Sequence, residues 1–333
     1  MIRKSMLLIL VLSCMLILVN GGAHAQTMPS GAPTVSLLVS GMQSGSGSTI
    51  GPDGALYVTE GATGSLLRVD PATGKISTFA SGLPVWLPII GCCGTMDVAF
   101  IKDTAYVLVT LVGSDWGGSD VVGIYRVDGP DRFTVIADIG QWSIDNPPPP
   151  TTSYDTPTGV QYAMQPYKNG FIVTDGHHNR VLKVGLGGNI KQLIQFSDIV
   201  PTGLALQGDA LFVAQAGPIP HLPENGKVVT FSLKSDSPTA TQVAAGAPLL
   251  VDVEFGPEGK LFALSQGHFT PGQIEGSPAD PYTGSLVKVN SNGTFTTIVT
   301  GLNQPTSLEF IGNSAYVVGL NGQIWKISHV SND

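Results

Sequence analysis

The sequence predicts an all-β fold, a six-bladed β-propeller of four-stranded antiparallel blades. The main evidence is a phrase that occurs six times, in which a small or turn-forming residue precedes an aromatic residue and a short apolar run. The phrase returns every 41 to 65 residues, a period typical of propeller blades built from short strands. Gly (42) and Pro (24) are abundant and only 12% of residues are charged, which favours many tight turns and argues against helices. The six aromatic residues are Tyr57, Tyr106, Phe171, Phe212, Phe262 and Tyr316.

Each blade is expected to contain strands A to D, ordered from the central channel outward. The aromatic phrase forms strand B, and short Gly/Asn/Asp turns join A to B and C to D. Apolar and polar residues alternate in several C strands, as strands with one wetter face require. The predicted A strands cover residues 95–100, 158–160, 202–206, 251–255 and 306–310, with the weakest one near 46–50.

The N-terminal strand is expected to close the ring. The chain ends soon after the C strand of the last blade, so that blade lacks a D strand of its own. Residues 34–41 (TVSLLVSG) read like residues 294–301 (TFTTIVTG), which form the D strand of blade 5. We therefore predict that residues 34–41 complete blade 6, which removes two open strand edges.

Residues 1–25 have the pattern of a signal peptide. Arg3 and Lys4 precede an apolar stretch over residues 6–19, and Ala23-His24-Ala25 fits a cleavage site. The predicted organisation is a signal peptide at 1–25 and a single propeller domain at 26–333. The prediction is therefore an exported protein, periplasmic or extracellular, with no membrane span after signal cleavage.

The charge of the predicted mature chain argues against nucleic acid as a partner. Without Arg3 and Lys4, 14 Lys and Arg face 24 Asp and Glu, a net charge of −10. No run of basic residues is present, so nucleic acid and anionic membrane surfaces are unsuitable partners. A monomer that binds a small molecule or a protein is the expected state.

The long connections are predicted to share one face of the ring. They are residues 114–121, 215–227 and 266–284, between strands B and C, and residues 83–94 and 141–157, between D and the next A. In an up-and-down meander these two kinds of connection leave the blade at the same end. Binding and catalytic residues concentrate on such loops, so this face is the predicted functional one.

Asp97 and Asp252 occupy matching places in the A strands of blades 2 and 5, which lie opposite each other in a six-bladed ring. Gly159, Gly203 and Ser307 are predicted at that place in blades 3, 4 and 6. In one interpretation the two carboxylates face across the channel and hold Ca²⁺, another divalent cation or ordered water. In the other, each carboxylate binds neighbouring A-strand backbone and shapes the channel.

Four histidines are candidate catalytic or metal-binding residues. His177, His178, His221 and His268 all lie in B-to-C connections of consecutive blades, with acids in the same segments. Imidazoles beside carboxylates are suited to acid–base work near neutral pH or to metal binding. Their spacing matches no metal motif, and polar residues belong in loops in any case.

Cys92 and Cys93 form the one cysteine pair of the predicted mature chain. Export favours oxidation, so a vicinal disulfide is one prediction, with two buried thiols or an intermolecular bridge as alternatives. Gly91 and Gly94 flank the pair and permit a contorted backbone. The ligand-contacting residues predicted on this rim are Trp86, Trp116, Cys92 and Cys93.

Several stretches of the chain resemble the ScyD/ScyE family of propeller proteins, which is named after the scytonemin gene cluster. They are residues 51–60 (GPDGALYVTE), 67–70 (LRVD), 200–205 (VPTGLA) and 251–257 (VDVEFGP). The resemblance covers residues 35–327 and implies an exported six-bladed propeller, but it transfers no catalytic residue. The same motifs occur in NHL-like repeat, gluconolactonase-like and streptogramin-lyase-like proteins. The chain departs from the pattern in its Cys92-Cys93 loop and in lacking the Gly-Pro-Asp-Gly turn in blades 2, 3, 4 and 6.

Two classes of function follow from these observations. One is a non-catalytic binding or scaffold module that uses the loop-bearing face. The other is a metal-assisted hydrolase or lyase of the gluconolactonase or streptogramin-lyase kind, with a divalent cation at the channel mouth. Fold alone does not choose between them.

Overall fold

A computed structural model describes residues 31–152, 154–273 and 277–331. Six four-stranded antiparallel sheets form a ring, which confirms the predicted six-bladed propeller. Blade 1 consists of β2 (Ser48–Ile50), β3 (Leu56–Glu60), β4 (Ser65–Val69) and β5 (Ile76–Ser81). Blade 2 consists of β6 (Gly94–Ile101), β7 (Thr104–Thr110), β8 (Gly123–Gly129) and β9 (Arg132–Asp138). Blade 3 consists of β10 (Gln161–Pro166), β11 (Gly170–Asp175), β12 (Arg180–Gly185) and β13 (Ile190–Gln195).

Blades 4 to 6 complete the ring. Blade 4 consists of β14 (Pro201–Gln207), β15 (Ala210–Gln215), β16 (Lys227–Ser232) and β17 (Thr241–Ala245). Blade 5 consists of β18 (Leu250–Phe255), β19 (Leu261–Ser265), β20 (Gly284–Val289) and β21 (Phe295–Leu302). Blade 6 consists of β22 (Pro305–Ile311), β23 (Ser314–Gly319), β24 (Ile324–Ser328) and the N-terminal β1 (Thr34–Val39).

The aromatic residues recur because they fill the space between blades. Tyr57 in strand B of blade 1 packs edge-on against Phe79 of its own blade and Phe100 of blade 2, with ring centroids 5.1 and 4.8 Å apart. Tyr106 packs against Phe171 of the next blade with the rings tilted and their centroids 5.1 Å apart. Aromatic pairs of this geometry add to the free energy of burying their apolar surface. The core is therefore a series of apolar layers between adjacent blades.

Two sequence predictions about local structure were wrong. The A strand of blade 3 is β10, at Gln161–Pro166, and not residues 158–160. Met164, which pairs with Val173, therefore takes the place of Asp97, which pairs with Leu108; Gly159 lies in a turn with φ +74°. One α-helix, α1 (Ile139–Asp145), also follows blade 2, and the Asp138 side chain caps its N-terminus through Gln141 N.

The closure of the ring by the N-terminal strand is confirmed. β1 pairs antiparallel with β24, with Thr34 opposite Ser328 and Leu37 opposite Trp325. Val39 at the end of β1 is buried in the cluster that joins blades 6 and 1. The strand therefore contributes both ladder hydrogen bonds and apolar contacts to the last blade.

Removing this strand is expected to destabilise the whole ring. Deletion of residues 26–41 should lower the melting temperature by roughly 5–10 °C, because ladder hydrogen bonds and the burial of Val39 are lost. It should also promote aggregation through the freed edge of β24. Thermal unfolding followed by circular dichroism measures the first effect and light scattering the second. Deletion of 26–32 is the control; equal melting curves for both deletions would contradict the assignment.

The predicted signal peptide at 1–25 lies outside the described residues. Within the residues that the structure describes, no helix is long and apolar enough to cross a membrane.

Candidate functional site

The connections from B to C and from D to the next A lie together on one face of the ring. Hydrogen bonds join them: Leu83 N donates to Gly64 O at 3.0 Å, and Phe196 N donates to Asn179 O at 2.7 Å. We call this surface the loop face and define it by the twelve connections, residues 40–47, 61–64, 82–93, 111–122, 139–160, 176–179, 196–200, 216–226, 246–249, 266–283, 303–304 and 320–323. The remaining connections, on the opposite face, are mostly short turns.

A buried polar network anchors the longest of these connections. The Asp175 carboxylate accepts from Arg180 Nε at 2.8 Å and lies 3.0 Å from His178 Nδ1, and all three side chains are at most 1% exposed. The guanidinium also donates to Ser143 Oγ at 2.9 Å and to the Asn146 carbonyl at 2.7 Å. These bonds tie α1 and the segment after it to blade 3.

The hydrogen bonds of the His178 ring fix its position. The carbonyl of Thr156, 3.0 Å from Nε2, can only accept, so Nε2 carries a proton. Nδ1 lies 3.0 Å from the Asp175 carboxylate and 2.9 Å from a guanidinium nitrogen of Arg180. Burial alone would raise the pKa of Asp175, but His178 and Arg180 outweigh that effect and hold this pKa below its usual value. His178 is therefore a structural anchor inside the molecule, which corrects its predicted place on the rim surface.

The other three histidines lie on the loop face. His177 Nε2 is 3.0 Å from the Tyr162 hydroxyl, and its Nδ1 is 3.9 Å from Asp155. His221 Nδ1 donates to the Gly217 carbonyl at 2.7 Å, and its ring packs edge-on against Phe269. His268 is exposed next to that phenylalanine. His177 and His221 thus support their own loops, and the predicted catalytic role of the three histidines stays a prediction.

The Cys92-Cys93 loop lies on the same face and is strongly bent. Gly91, Cys93 and Gly94 have φ values of +70°, +72° and +66°, a backbone that favours glycine. The two Sγ atoms are 2.9 Å apart and both cysteines are free thiols in this structure. The contact between the two sulfurs lowers the pKa of Cys92 and raises that of Cys93, and burial of Cys93 adds to the increase. The vicinal disulfide remains a prediction for the exported protein.

The two predicted tryptophans differ in their surroundings. Trp86 N donates to the Gly61 carbonyl at 3.0 Å, which joins the cysteine loop to blade 1. The indole Nε1 of Trp116 is buried and has no hydrogen-bond partner among the described residues. The predicted contact of Trp116 with a ligand stays a prediction.

Asp97 and Asp252 line the central channel, as predicted, and both bind backbone. Asp97 accepts from Val98 N at 2.8 Å and, in blade 3, from Met164 N at 2.7 Å. Asp252 accepts from Val253 N at 2.8 Å and, in blade 6, from Leu308 N at 2.7 Å. Each carboxylate thus fastens its own A strand to the A strand of the next blade. These bonds agree with the interpretation in which each carboxylate binds neighbouring A-strand backbone and shapes the channel.

Two further carboxylates in the channel were missed by the sequence reasoning. Glu254 and Glu309 occupy matching places in strands A of blades 5 and 6, each opposite the aromatic residue of strand B. Together with the two aspartates they line the central channel, which is partly open to solvent. None of the lining residues in the described part of the chain is Lys, Arg or His. Repetition of Glu at one strand position in two blades was the signal available in the sequence.

Burial raises the pKa of all four channel carboxyls. It raises the pKa of Asp252 to about 7 and that of Glu254 to about 8. The pKa values of Asp97 and Glu309 lie well above their usual range for the same reason, and repulsion by the neighbouring acids adds to the shift of Glu309. The channel therefore holds protons near neutral pH and resists full ionisation.

The predicted divalent-cation site at Asp97 and Asp252 stays a prediction. Each of their four carboxylate oxygens accepts one backbone N–H and keeps a further lone pair. In the described residues, no three His, Cys, Asp or Glu side chains converge closely enough to hold a metal ion.

Comparisons with known proteins support the fold. A gluconolactonase from Xanthomonas campestris superposes with a TM-score of 0.61 at 11% identity, covering 89% of each chain. Virginiamycin B lyase from Staphylococcus aureus gives 0.53 at 14% identity over 89% of this chain and 98% of that one. A structure of the nidogen/laminin complex gives 0.52 at 14% identity over 79% and 84%. No protein-family model matches the chain, and no curated protein is significantly similar in sequence.

The chain shares its six-bladed propeller fold with these structures. At these identities the likeness extends to the fold alone, and the neighbours include enzymes as well as a protein seen in a protein–protein complex. The features of this chain that bear on function are therefore its loop face and its channel.

Proposed function

We propose that this protein is an exported binding or scaffold module of the ScyD/ScyE type, and that its ligand binds on the loop face. The proposal rests on one observation: the long connections between strands lie on one face of the ring, and the other face has mostly short turns. All insertions longer than ten residues lie on the loop face, and rigid blades hold them in place. Ordering loops of this length costs conformational entropy that ring closure does not require.

The apolar surface supports the same face. Among the described residues, twelve large hydrophobic side chains are exposed, and seven of them lie on the loop face: Val85, Ile89, Ile144, Tyr154, Ile219, Leu222 and Tyr282. The two most exposed, Ile89 and Tyr282, are 79% and 66% exposed. Apolar side chains gathered in this way are typical of a surface that becomes covered by a partner.

The chemistry of the candidate residues favours binding over catalysis. A general base must reach its substrate proton, and His178 is enclosed with its ring nitrogens engaged. Asp97 and Asp252 are bound to backbone, and all four channel carboxyls resist ionisation. A metal-assisted hydrolase or lyase remains the competing class, because four carboxylates share the channel.

Metal content separates the two classes. We expect the purified mature protein to contain no stoichiometric divalent metal by elemental analysis, and calorimetric titration with Ca²⁺, Mg²⁺, Mn²⁺ or Zn²⁺ to show no saturable binding. Stoichiometric metal that is lost in Asp97→Asn and Asp252→Asn, but kept in the exposed control Asp131→Asn, would overturn the proposal in favour of the metal-assisted enzyme.

A further inference from the structure

The charges of the propeller are distributed unevenly between its two faces. None of the twelve loop-face connections contains a Lys or Arg, whereas they contain eight acids: Asp115, Asp120, Asp145, Asp155, Asp198, Glu224, Glu275 and Asp280. Glu275 is outside the described residues. The connections of the opposite face carry seven acids and five lysines. The loop face is therefore acidic and apolar, while the opposite face has mixed charge.

Ion pairing accentuates this difference. On the opposite face, Asp53 pairs with Arg68, Asp209 with Lys234 and Glu258 with Lys260. On the loop face, no described acid forms an ion pair with Lys or Arg. Asp120, Asp198 and Glu224 are exposed and belong to three different blades. Unpaired charges of one sign around an apolar surface produce a field that attracts the opposite charge.

We propose that the occupant of the loop face is an extended peptide segment of a partner protein that carries both Lys or Arg and apolar side chains. The inference rests on the proposed binding function and adds the chemistry of the ligand. The geometry that carries it is the combination of exposed apolar residues with uncompensated carboxylates on one face.

The spread of the apolar residues indicates an extended occupant. Ile89 belongs to the connection between blades 1 and 2, Tyr154 to that between blades 2 and 3, Leu222 to blade 4 and Tyr282 to blade 5. An occupant that covers several of them crosses the mouth of the channel instead of filling one pocket. The lysines and arginines of such a segment would meet Asp120, Asp198 and Glu224.

The acidity of the loop face disfavours other occupants. Anionic lipids and nucleic acid are repelled by this surface, where the half-buried Lys227 at the adjoining end of β16 is outnumbered by the exposed acids Asp120, Asp198 and Glu224. A second copy of this chain offers no complementary surface through its opposite face, where seven acids outnumber five lysines. A basic and apolar peptide would pair its Lys or Arg with the carboxylates and cover the exposed apolar side chains.

Three matched synthetic peptides test the proposal on the full mature protein. In the first, lysines alternate with leucine and serine; in the second, Glu replaces every Lys; in the third, Gln does. Binding is measured by fluorescence anisotropy at low and at physiological salt. We expect the Lys peptide to bind about tenfold or more tightly than the other two, and its affinity to fall as salt rises.

Charge-neutralising variants locate the contact. The triple variant Asp120→Asn, Asp198→Asn and Glu224→Gln should weaken the Lys peptide about tenfold. A matched triple variant of exposed acids on the opposite face, Asp103→Asn, Asp131→Asn and Asp236→Asn, should leave its affinity within twofold. Equal melting temperatures of the two variants show that folding is unchanged. Hydrogen exchange should show protection by the peptide in residues 82–93 and 216–226.

The outcomes distinguish the two proposals. Equal or tighter binding of the Glu or Gln peptide on the loop face would overturn the cationic chemistry and leave the proposed function standing. Protection of the opposite face, or equal weakening by the two triple variants, would overturn both. Failure of all three peptides to bind would overturn the peptide proposal, whereas the metal measurement tests the proposed function independently.

Discussion

Replacing Arg180 with Met is expected to destabilise the protein by about 3–5 kcal/mol, because it leaves the buried Asp175 carboxylate without its guanidinium partner. The same change removes the bonds to Ser143 and Asn146 and thereby detaches α1 from blade 3. At this chain length the melting temperature should fall by roughly 5–8 °C. Denaturant unfolding and calorimetry measure the two quantities.

Two further variants keep this prediction falsifiable. Arg68→Met removes an arginine from strand C of another blade, but its partner Asp53 is partly exposed, so the loss of stability should be much smaller than for Arg180→Met. Asp175→Leu combined with Arg180→Met should recover part of the stability, since no buried charge then lacks a partner. Equal destabilisation by Arg180→Met and Arg68→Met would show that the network does not anchor the long connection.

Replacing Glu309 or Glu254 with Gln is expected to stabilise the protein at pH 9 and to have little effect at pH 4. The folded-state pKa of each carboxyl is raised by burial, to about 8 for Glu254. The native state therefore binds protons that the unfolded chain releases above its ordinary pKa of about 4.3. The stability that these bound protons contribute is fully present below the unfolded-state pKa and is lost as pH rises through the folded-state pKa.

At pH 9 we expect the free energy of unfolding to rise by about 2 kcal/mol in each variant. This is less than the full pKa shift would give, because the neighbouring acids titrate together. Wild-type stability should decline between pH 5 and pH 9, and the decline should be smaller in both variants. Glu224→Gln on the loop face is the control, since its exposed carboxylate should change stability by less than about 0.5 kcal/mol at either pH. A wild-type stability that does not change over this range would contradict protonation of the channel.

Much of the fold followed from local sequence. The spacing of Tyr57, Tyr106 and their counterparts reported the number of blades, because each blade must place an apolar group against its neighbour. The likeness of residues 34–41 to 294–301 located the closing strand. Helix α1 escaped this reasoning, since it depends on the Asp138 cap and on contacts with Arg180 more than on a periodic apolar pattern.

The site was less accessible to sequence reasoning. The loop face was correctly assembled from the topology of an antiparallel meander, but the histidines on it could not be ranked. His178 and His177 are adjacent in sequence, yet one is enclosed by Asp175 and Arg180 while the other faces Tyr162 at the surface. Adjacent side chains point in different directions, and only the packing of α1 decided which one became buried.

The sequence by itself determined the blade number, the closing strand and the face that carries the long connections, because these depend on spacing and on chain direction alone. Only the tertiary structure decided what the carboxylates do. Asp97 and Asp252 reach backbone N–H groups of adjacent blades, and Glu254 and Glu309 meet them in one channel although their blades are built from distant segments. Charge repulsion and loss of hydration depend on distance in space, and the ring creates that proximity.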